Sequence, residues 1–365
     1  MKRACAACMR RSALIGHLAP RVASLLDRPG RARAREVLAL PEADLIAAVA
    51  GRHAPEARRM VEDFDCARAI AQLDQRGLSA LCAHSDGYPA NLLGLSDAPA
   101  VLYLAGDSNV LTSEPTACLV GSRRASAYAL EVAHELGRGL ASAGVTVVSG
   151  LALGIDAAAH RGALAGGGLT VAVLASGVDR PYPRTNRPLY RRVREHGVAV
   201  SEMPPGAPAF RWSFPARNRI MAGLAAMTVV VEAGDPSGSL ITAQFALDLG
   251  RDVGAVPGWV TSRMAAGSNR LLREGASVVR GVEDLLDDLY GVGAGGRPRR
   301  APSSPRLEPT LRRVLDGVEA GEGAEAIGRS AGVTAATARA ALGRLESLGL
   351  VSRDGLGSYR RALRR

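Results

Sequence analysis

The residues of this chain that could do chemistry sit in short loops, each following an apolar run of β type. Val120-Gly121-Ser122-Arg123 follows Ala117-Cys118-Leu119, and Ser149-Gly150-Leu151-Ala152-Leu153-Gly154-Ile155-Asp156 follows Val145-Thr146-Val147-Val148. Ser201-Glu202 follows Val198-Ala199-Val200, and Ser237-Gly238-Ser239 comes soon after Met227-Thr228-Val229-Val230-Val231. In an open parallel sheet such loops share one edge, at the carboxyl ends of the strands. Small residues there expose backbone N–H groups and helix N-termini, which favour anions. A serine hydroxyl can donate to an oxyanion, and an arginine grips phosphate with two donors. The loops therefore predict one phosphate-binding edge built from Gly121, Ser122, Gly150, Gly154, Ser237, Gly238 and Ser239, with Arg123, Arg217 and Arg219 as its cations.

The stretch Phe210-Arg211-Trp212-Ser213-Phe214-Pro215-Ala216-Arg217-Asn218-Arg219 is unusual in a chain with only 4% aromatic residues. Aromatic rings among arginines suit single-stranded nucleic acid: bases stack on the rings while guanidinium groups hold phosphates. Trp212 and Phe214 serve equally well as anchors of a long loop to the core. Arg184, in Tyr182-Pro183-Arg184-Thr185-Asn186, extends the basic rim, and Asn269 either caps residues 270–274 or touches ligand.

No constellation for catalysis stands out. There is no Gly-Lys-Ser/Thr phosphate loop, the 149–156 loop lacks dinucleotide-fingerprint spacing, and no carboxylate pair or Ser-His-Asp order has a suitable context. Asp156 reads as a cap of the following helix and His160 as a packed or hydrogen-bonded side chain. Glu202 and Glu232, at strand ends, serve either as bases or as partners orienting arginines. The expectation is a binding protein with no catalytic residues and no cofactor.

These loops need a scaffold, and the chain supplies an alternating one. Between residues 110 and 290, apolar β-type runs at 117–120, 145–149, 170–174, 198–201, 227–232, 253–256 and 276–279 alternate with helical patterns such as Ala127–Ser142 and Thr242–Leu249. Such alternation implies parallel βαβ units with helices on both faces of the sheet. Residues 1–84 read as a small helical (SAM-like) domain punctuated at Pro20, Pro29-Gly30, Pro41 and Pro55, in which the Arg31-Ala32-Arg33-Ala34-Arg35 run is a solvated face. Residues 291–306 are a linker by composition. Residues 307–365 carry a winged helix-turn-helix outline: helices at Ala324–Ala331 and Ala335–Leu348, then a strand and an Asp354-Gly355 hairpin turn.

Composition bounds the rest. The 365 residues are 47% apolar, enough for a sizeable core, and carry a formal net charge of +11, which favours polyanions. Lys2 is the only lysine, a codon-bias signature that explains arginine in place of lysine but not the excess of bases over acids. No run is apolar enough to cross a bilayer, and the N-terminus does not read as a signal peptide. Five cysteines, an odd number without disulfide density, indicate reduced thiols and a cytoplasmic protein. Cys5-x-x-Cys8 has metal-ligand spacing, with Cys66, Cys82 and His84 available to complete a set. A lone CxxC is a weak signature, so these are read here as ordinary cysteines, with no metal.

Taken together, Gly121-Ser122-Arg123, Ser149-Gly150…Gly154-Ile155-Asp156…His160, Tyr182-Pro183…Asn186, Ser201-Glu202, Phe214-Pro215-Ala216-Arg217-Asn218-Arg219, Val231-Glu232, Ser237-Gly238-Ser239-Leu240-Ile241-Thr242-Ala243 and Pro257-Gly258…Gly267-Ser268-Asn269 resemble the DNA-processing protein A (DprA, or Smf) family over about residues 85–290. The resemblance implies an extended Rossmann-like domain that binds single-stranded DNA. It also implies a homodimer that protects incoming DNA and loads the RecA recombinase during natural transformation. It places the family's phosphate-gripping arginine at Arg123, a basic residue at Arg211, the base-stacking ring at Phe214, and its Arg-Asn-Arg signature at Arg217, Asn218 and Arg219. The usual threonine after the Gly-Ser-Arg motif is Ser126 here, and the N-terminal region lacks a helix-hairpin-helix glycine pattern.

Two rivals share the sheet class. A nucleotide-binding, phosphoribohydrolase-like enzyme needs a Pro-Gly-Gly loop, but Pro205-Gly206 and Pro257-Gly258 each lack the second glycine. A ligand-sensing winged-helix regulator would prefer duplex over single-stranded DNA.

Overall fold

The structure, a computed structural model, describes residues 3–26, 34–291, 308–319, 323–347, 350–353 and 359–361. It divides into two compact units, Met1–Arg299 and Arg300–Arg365. The Arg31-Ala32-Arg33 part of the arginine run, Pro29-Gly30, nearly all of the 291–306 linker and the Asp354-Gly355 turn lie outside the described residues.

The first unit opens with helices α1 (Ala6–Leu26), α2 (Ala34–Ala39), α3 (Glu42–Val49), α4 (Ala54–Glu62) and α5 (Cys66–Gln75). Strands β1 (Ser79–Leu81), β2 (Leu102–Gly106) and β3 (Thr116–Val120) follow, then α6 (Ala127–Ser142), β4 (Thr146–Ser149), α7 (Ile155–Ala165), β5 (Thr170–Val173), α8 (Arg187–His196) and β6 (Val198–Ser201). The unit closes with α9 (Ser213–Leu224), β7 (Met227–Val230), α10 (Gly238–Asp248), β8 (Asp252–Ala255), α11 (Ala266–Arg273), β9 (Ser277–Val278) and α12 (Val282–Tyr290).

The strands form one sheet in the order β1-β2-β6-β5-β4-β3-β7-β8-β9. From β3 the chain adds β4, β5 and β6 outward on one side, then crosses back to add β7, β8 and β9 on the other; all of these pairings are parallel. Only β2 against β6 and β1 against β2 are antiparallel. The order reverses between β3 and β7, the switch point where open α/β sheets form their binding crevice.

The strands are apolar because both faces are covered. Side chains alternate across a strand, so Cys118 and Val120 of β3 enter one core while Ala117 and Leu119 enter the other. Val148 and Val147 of β4 divide the same way, as do Val230 and Val229 of β7. One face packs against α9, α10 and α11; the other packs against α6, α7 and α12 on one half and against α8 and the N-terminal segment on the other.

Each expected strand between 117 and 279 is present within about a residue or two at either end. Three expectations need correction. The sheet begins at Ser79, ahead of the boundary placed at residue 85, because three-residue β1 is too short to show a period. The N-terminal helices belong to the same compact unit as the sheet. Helix α1 continues through Pro20, which removes one ladder bond, while buried Leu14, Leu18, Ala19 and Val22 hold the helix on its core.

The second unit comprises α13 (Pro309–Glu319), α14 (Ala324–Ser330) and α15 (Ala335–Ser347), followed by antiparallel strands β10 (Val351–Arg353) and β11 (Tyr359–Arg361). Leu311, Val314, Leu315, Ile327, Leu342 and Leu345 form its core. Among the described residues, no helix is long and apolar enough to cross a membrane.

Candidate nucleic-acid interface

The loops after β3 and β4 lock into each other. Ser122 N–H donates to the Glu232 carbonyl at 2.7 Å, beyond β7, and the Ser122 carbonyl accepts from Ile155 N–H at 3.2 Å. Gly154 makes this approach possible: its φ is +77°, and a Cβ there would lie 2.2 Å from the Ser122 carbonyl oxygen. Asp156 does not cap α7, the role expected of it. Its Oδ2 turns back to accept from Gly150 N–H at 3.1 Å and Ala152 N–H at 3.3 Å, folding the 150–154 loop. Asn186 holds the same loop from outside, donating to the Leu151 and Ala152 carbonyls at 2.9 and 3.1 Å.

Glu232 closes the switch point. Its carboxylate accepts from Ser126 N–H at 2.8 Å and Ser126 Oγ at 2.7 Å, and Ser126 is the N-cap of α6. A dinucleotide-binding sheet offers this helix N-terminus to a pyrophosphate; here a buried carboxylate of the protein occupies it.

The cleft lies beside the switch point, over β4 and β5. Arg123, Gly150, Leu153, Tyr182, Pro183 and Phe214 line it, with Arg217 in its floor. Arg123 is exposed, and its guanidinium carbon sits 4.8 Å from the Phe214 ring centroid. Phe214, half-buried in the first turn of α9, also meets Tyr182 edge-on, with centroids 5.6 Å apart. Tyr182 is 52% exposed. Sequence reasoning passed over it as a site residue, although a tyrosine directly before Pro183 at the end of a strand loop was a usable signal. The cleft thus combines an exposed cation, two ring surfaces and glycine-rich backbone, the components of a groove for a stacked, phosphate-linked strand. Arg184, one residue past Pro183, and Arg211, three before Phe214, are both exposed.

The remaining candidates separate from this set. Arg217 is 5% exposed and spends its Nε and Nη1 donors internally: Nη1 bonds the Gly150 and Val173 carbonyls at 2.6 and 2.5 Å, and Nε bonds Asn218 Oδ1 at 3.0 Å. A Cβ on residue 150 would collide with this guanidinium, so glycine there lets Arg217 lie against the backbone. Asp156 Oδ2 is 3.7 Å from Arg217 Nη2. Burial raises the Asp156 carboxyl above its ordinary value and lowers the Arg217 guanidinium, each partly offset by the other's charge. Arg217 therefore gives the cleft floor a positive field rather than a free fork.

Arg219 is not on the phosphate edge at all. It is 3% exposed, with Nη1 and Nη2 on Glu202 at 2.8 and 2.7 Å and Nε 3.0 Å from Asp97. Burial works against its charge, but Glu202 and Asp97 outweigh that and raise the guanidinium above its ordinary value. The expectation of a phosphate contact at Arg219 is corrected: a cation satisfied on two carboxylates has no donors to give.

Trp212 is likewise an anchor. It is 5% exposed, packs with Leu14, Leu18 and Val22 of α1, and donates from Nε1 to the Ala19 carbonyl at 3.3 Å. Asn218, Ser237, Gly238 and Ser239 gather at the start of α10, where Asn218 donates to the Gly238 carbonyl at 3.2 Å and Ser237 caps the helix. Asn269 closes the loop after β8 through two bonds to Gly258, at 3.0 and 3.1 Å. Cys5, Cys8 and Cys82 come together with His84, leaving Cys66 out of the group.

Comparison with known proteins agrees with this reading. Residues 79–290 match the family described as DNA recombination-mediator protein A. The DNA processing protein DprA of Bacillus subtilis is 37% identical over 222 residues, 61% of this chain and 75% of that protein. The X-ray structure of DNA processing protein A from Streptococcus pneumoniae superposes with a TM-score of 0.61 at 32% identity, covering 78% of this chain and 96% of that one. A Helicobacter pylori DNA processing protein A structure, described for its single-stranded DNA binding mode, gives a TM-score of 0.54 at 28% identity, covering 58% and 97%.

Proposed function

The chain belongs to the DNA recombination-mediator protein A family, the DprA/Smf proteins, and from that premise we propose that it binds single-stranded DNA along the cleft at the carboxyl ends of β3, β4 and β5. The observation that carries this reading is the Arg123–Phe214 pair, a phosphate-gripping cation laid on a ring available for stacking. Arg184 and Arg211, both exposed and close in sequence to Pro183 and Phe214 of the cleft, add to its basic character. The bases are not read, so binding is sequence-tolerant and strongly salt-dependent.

In this reading the role is mediation, as the family's description has it, rather than catalysis. The phosphoribohydrolase-like alternative is further disfavoured because Glu232 fills the α6 N-terminus that a nucleotide phosphate would use.

In this reading the protein works in the cytoplasm as a homodimer that shields incoming single strands and loads RecA onto them during natural transformation. The second unit acts as a winged helix, contacting duplex DNA or a partner protein. The test is a titration of single-stranded and blunt duplex DNA at several salt concentrations, with RecA filament formation on the bound strand as the second readout. Tighter binding to the single strand and faster filament formation are expected. Equal or tighter duplex binding overturns the proposal.

A further inference from the structure

We propose that Cys5, Cys8, Cys82 and His84 bind one zinc ion that pins the start of α1 to the end of β1. Cys5 and Cys8 straddle the beginning of α1, and a three-residue offset places them on one side of its first turn. Cys82 directly follows β1, with His84 two residues on. The two pairs are more than seventy residues apart in sequence, yet their four ligand atoms all lie within 4.8 Å of one another.

The three N···S distances are close to the edges of a tetrahedron around a single ion. His84 Nδ1 is 3.5 Å from Cys5 Sγ, 3.5 Å from Cys8 Sγ and 3.8 Å from Cys82 Sγ. With Zn–S of about 2.3 Å and Zn–N of about 2.0–2.1 Å, tetrahedral angles give N···S edges of about 3.6 Å and S···S edges of about 3.8 Å. Three thiolates and one imidazole close the coordination shell and leave no open position, the pattern of a structural rather than a catalytic zinc. The surroundings are built for it. Cys5 N–H donates to Cys82 Sγ at 3.3 Å, and Ser85 Oγ lies 3.4 Å from the same sulfur, two contacts of the kind that orient a thiolate ligand. Ala4 N–H bonds the Ala80 carbonyl at 3.1 Å, fixing the two segments beside each other. Cys66 lies close by in the same hydrophobic cluster but does not join the ligand set.

The position gives the ion a task. Two antiparallel pairings in succession return β1 to the direction of β6, so Cys82 and His84 lie at the same edge of the sheet as the cleft, on its outermost strand. Further along α1, the Ala19 carbonyl accepts the Trp212 indole bond, and Leu18 and Val22 share the hydrophobic cluster of Trp212, two residues before Phe214. An ion fixing the start of α1 thereby steadies the helix that anchors the aromatic loop.

The test uses the full-length protein, purified under reducing conditions and measured for metal by mass spectrometry. About one zinc per chain is expected in the wild type. Cys5→Ser and Cys82→Ser should lose it, and Cys66→Ser should keep it. Because a ligand variant could fail to fold, the wild type is also stripped with a chelator and reloaded with cobalt(II). The visible bands of tetrahedral, thiolate-ligated cobalt should appear and be displaced by zinc, and the melting temperature should fall on stripping and recover with zinc. Wild-type protein that retains no zinc after loading and desalting overturns the proposal. So does an octahedral cobalt spectrum, or a Cys66→Ser variant that loses metal as fully as Cys82→Ser.

Discussion

The guanidinium of Arg123 lies over the face of the Phe214 ring, 4.8 Å from carbon to centroid, although the two residues come from a β3 loop and the first turn of α9. A cation over an aromatic face is held by the ring's negative quadrupole, at about 0.5–1 kcal/mol when exposed. The contact orients the arginine fork without consuming its N–H donors, unlike Arg219, whose donors are occupied, and Arg217, whose Nε and Nη1 are held by the protein. Of these three arginines, Arg123 is therefore the one prepared to grip a phosphate.

Arg123→Ala should weaken single-stranded DNA binding across all sequences and reduce the salt slope by about 0.7, the value for one phosphate contact on a single strand. Its loop position predicts an unchanged melting temperature. Fluorescence anisotropy at several salt concentrations checks both parts; a folded variant with wild-type affinity makes Arg123 a surface residue.

Arg219→Ala should act on folding instead. Removing this cation strands Glu202 and Asp97 beside a buried site, a loss of about 3–5 kcal/mol. Urea denaturation should show that loss, and the fraction still folded should bind DNA normally. Wild-type stability combined with lost DNA affinity would restore Arg219 to the interface.

Most of the parallel sheet was legible because its strands are buried on both faces, leaving continuous apolar runs such as Val145-Thr146-Val147-Val148 separated by glycine turns. Strands β1 and β2 were not, because β1 is three residues long and both pair antiparallel across gaps in sequence that no local period records. The loops at the sheet edge were legible from their small residues. The fates of the arginines were not: whether an arginine faces solvent or a carboxylate depends on partners such as Asp97, more than a hundred residues from Arg219. Trp212 and the Cys5–His84 cluster share that difficulty, since their partners lie in distant segments.

His160 should make stability fall in mild acid. Its Nδ1–H points to Thr170 Oγ1 at 2.7 Å while Thr170 gives its own proton to the Val147 carbonyl at 2.8 Å. Burial, helped by Arg217 and Arg161, lowers its pKa to about 3. The unfolded chain takes up a proton here below about pH 6.5 and the folded chain does not, so the stabilisation present above that pH is lost progressively down to about pH 3. The slope from this group alone approaches about 1.4 kcal/mol per pH unit within that window. Between pH 7 and pH 5.5 the loss should be about 1 kcal/mol, and His160→Gln should remove that component. An equal pH dependence in the variant would assign it to other groups.

Deleting residues 300–365 should leave single-stranded DNA binding intact, because that segment is a separate compact unit with its own core. Gel-shift titration of the truncated protein checks this. Loss of single-strand affinity by a folded truncation would place part of the binding surface in the second unit.

Phe214→Ala should cost roughly 1–3 kcal/mol of single-strand affinity, the worth of one base stacked on a ring. Its ring lines the cleft half-buried rather than filling a core, so the melting temperature should change little. Trp212, two residues earlier, should behave in the opposite way. Its buried ring and its bond to Ala19 make Trp212→Ala a loss of about 3–5 kcal/mol in stability. Measuring melting temperature and DNA affinity on both variants separates the two roles. Phe214→Tyr, which keeps a stacking face, should retain most of the affinity. A large drop in melting temperature for Phe214→Ala, with affinity unchanged in the folded fraction, would move Phe214 from the interface to the core and leave Tyr182 as the ring that meets the base.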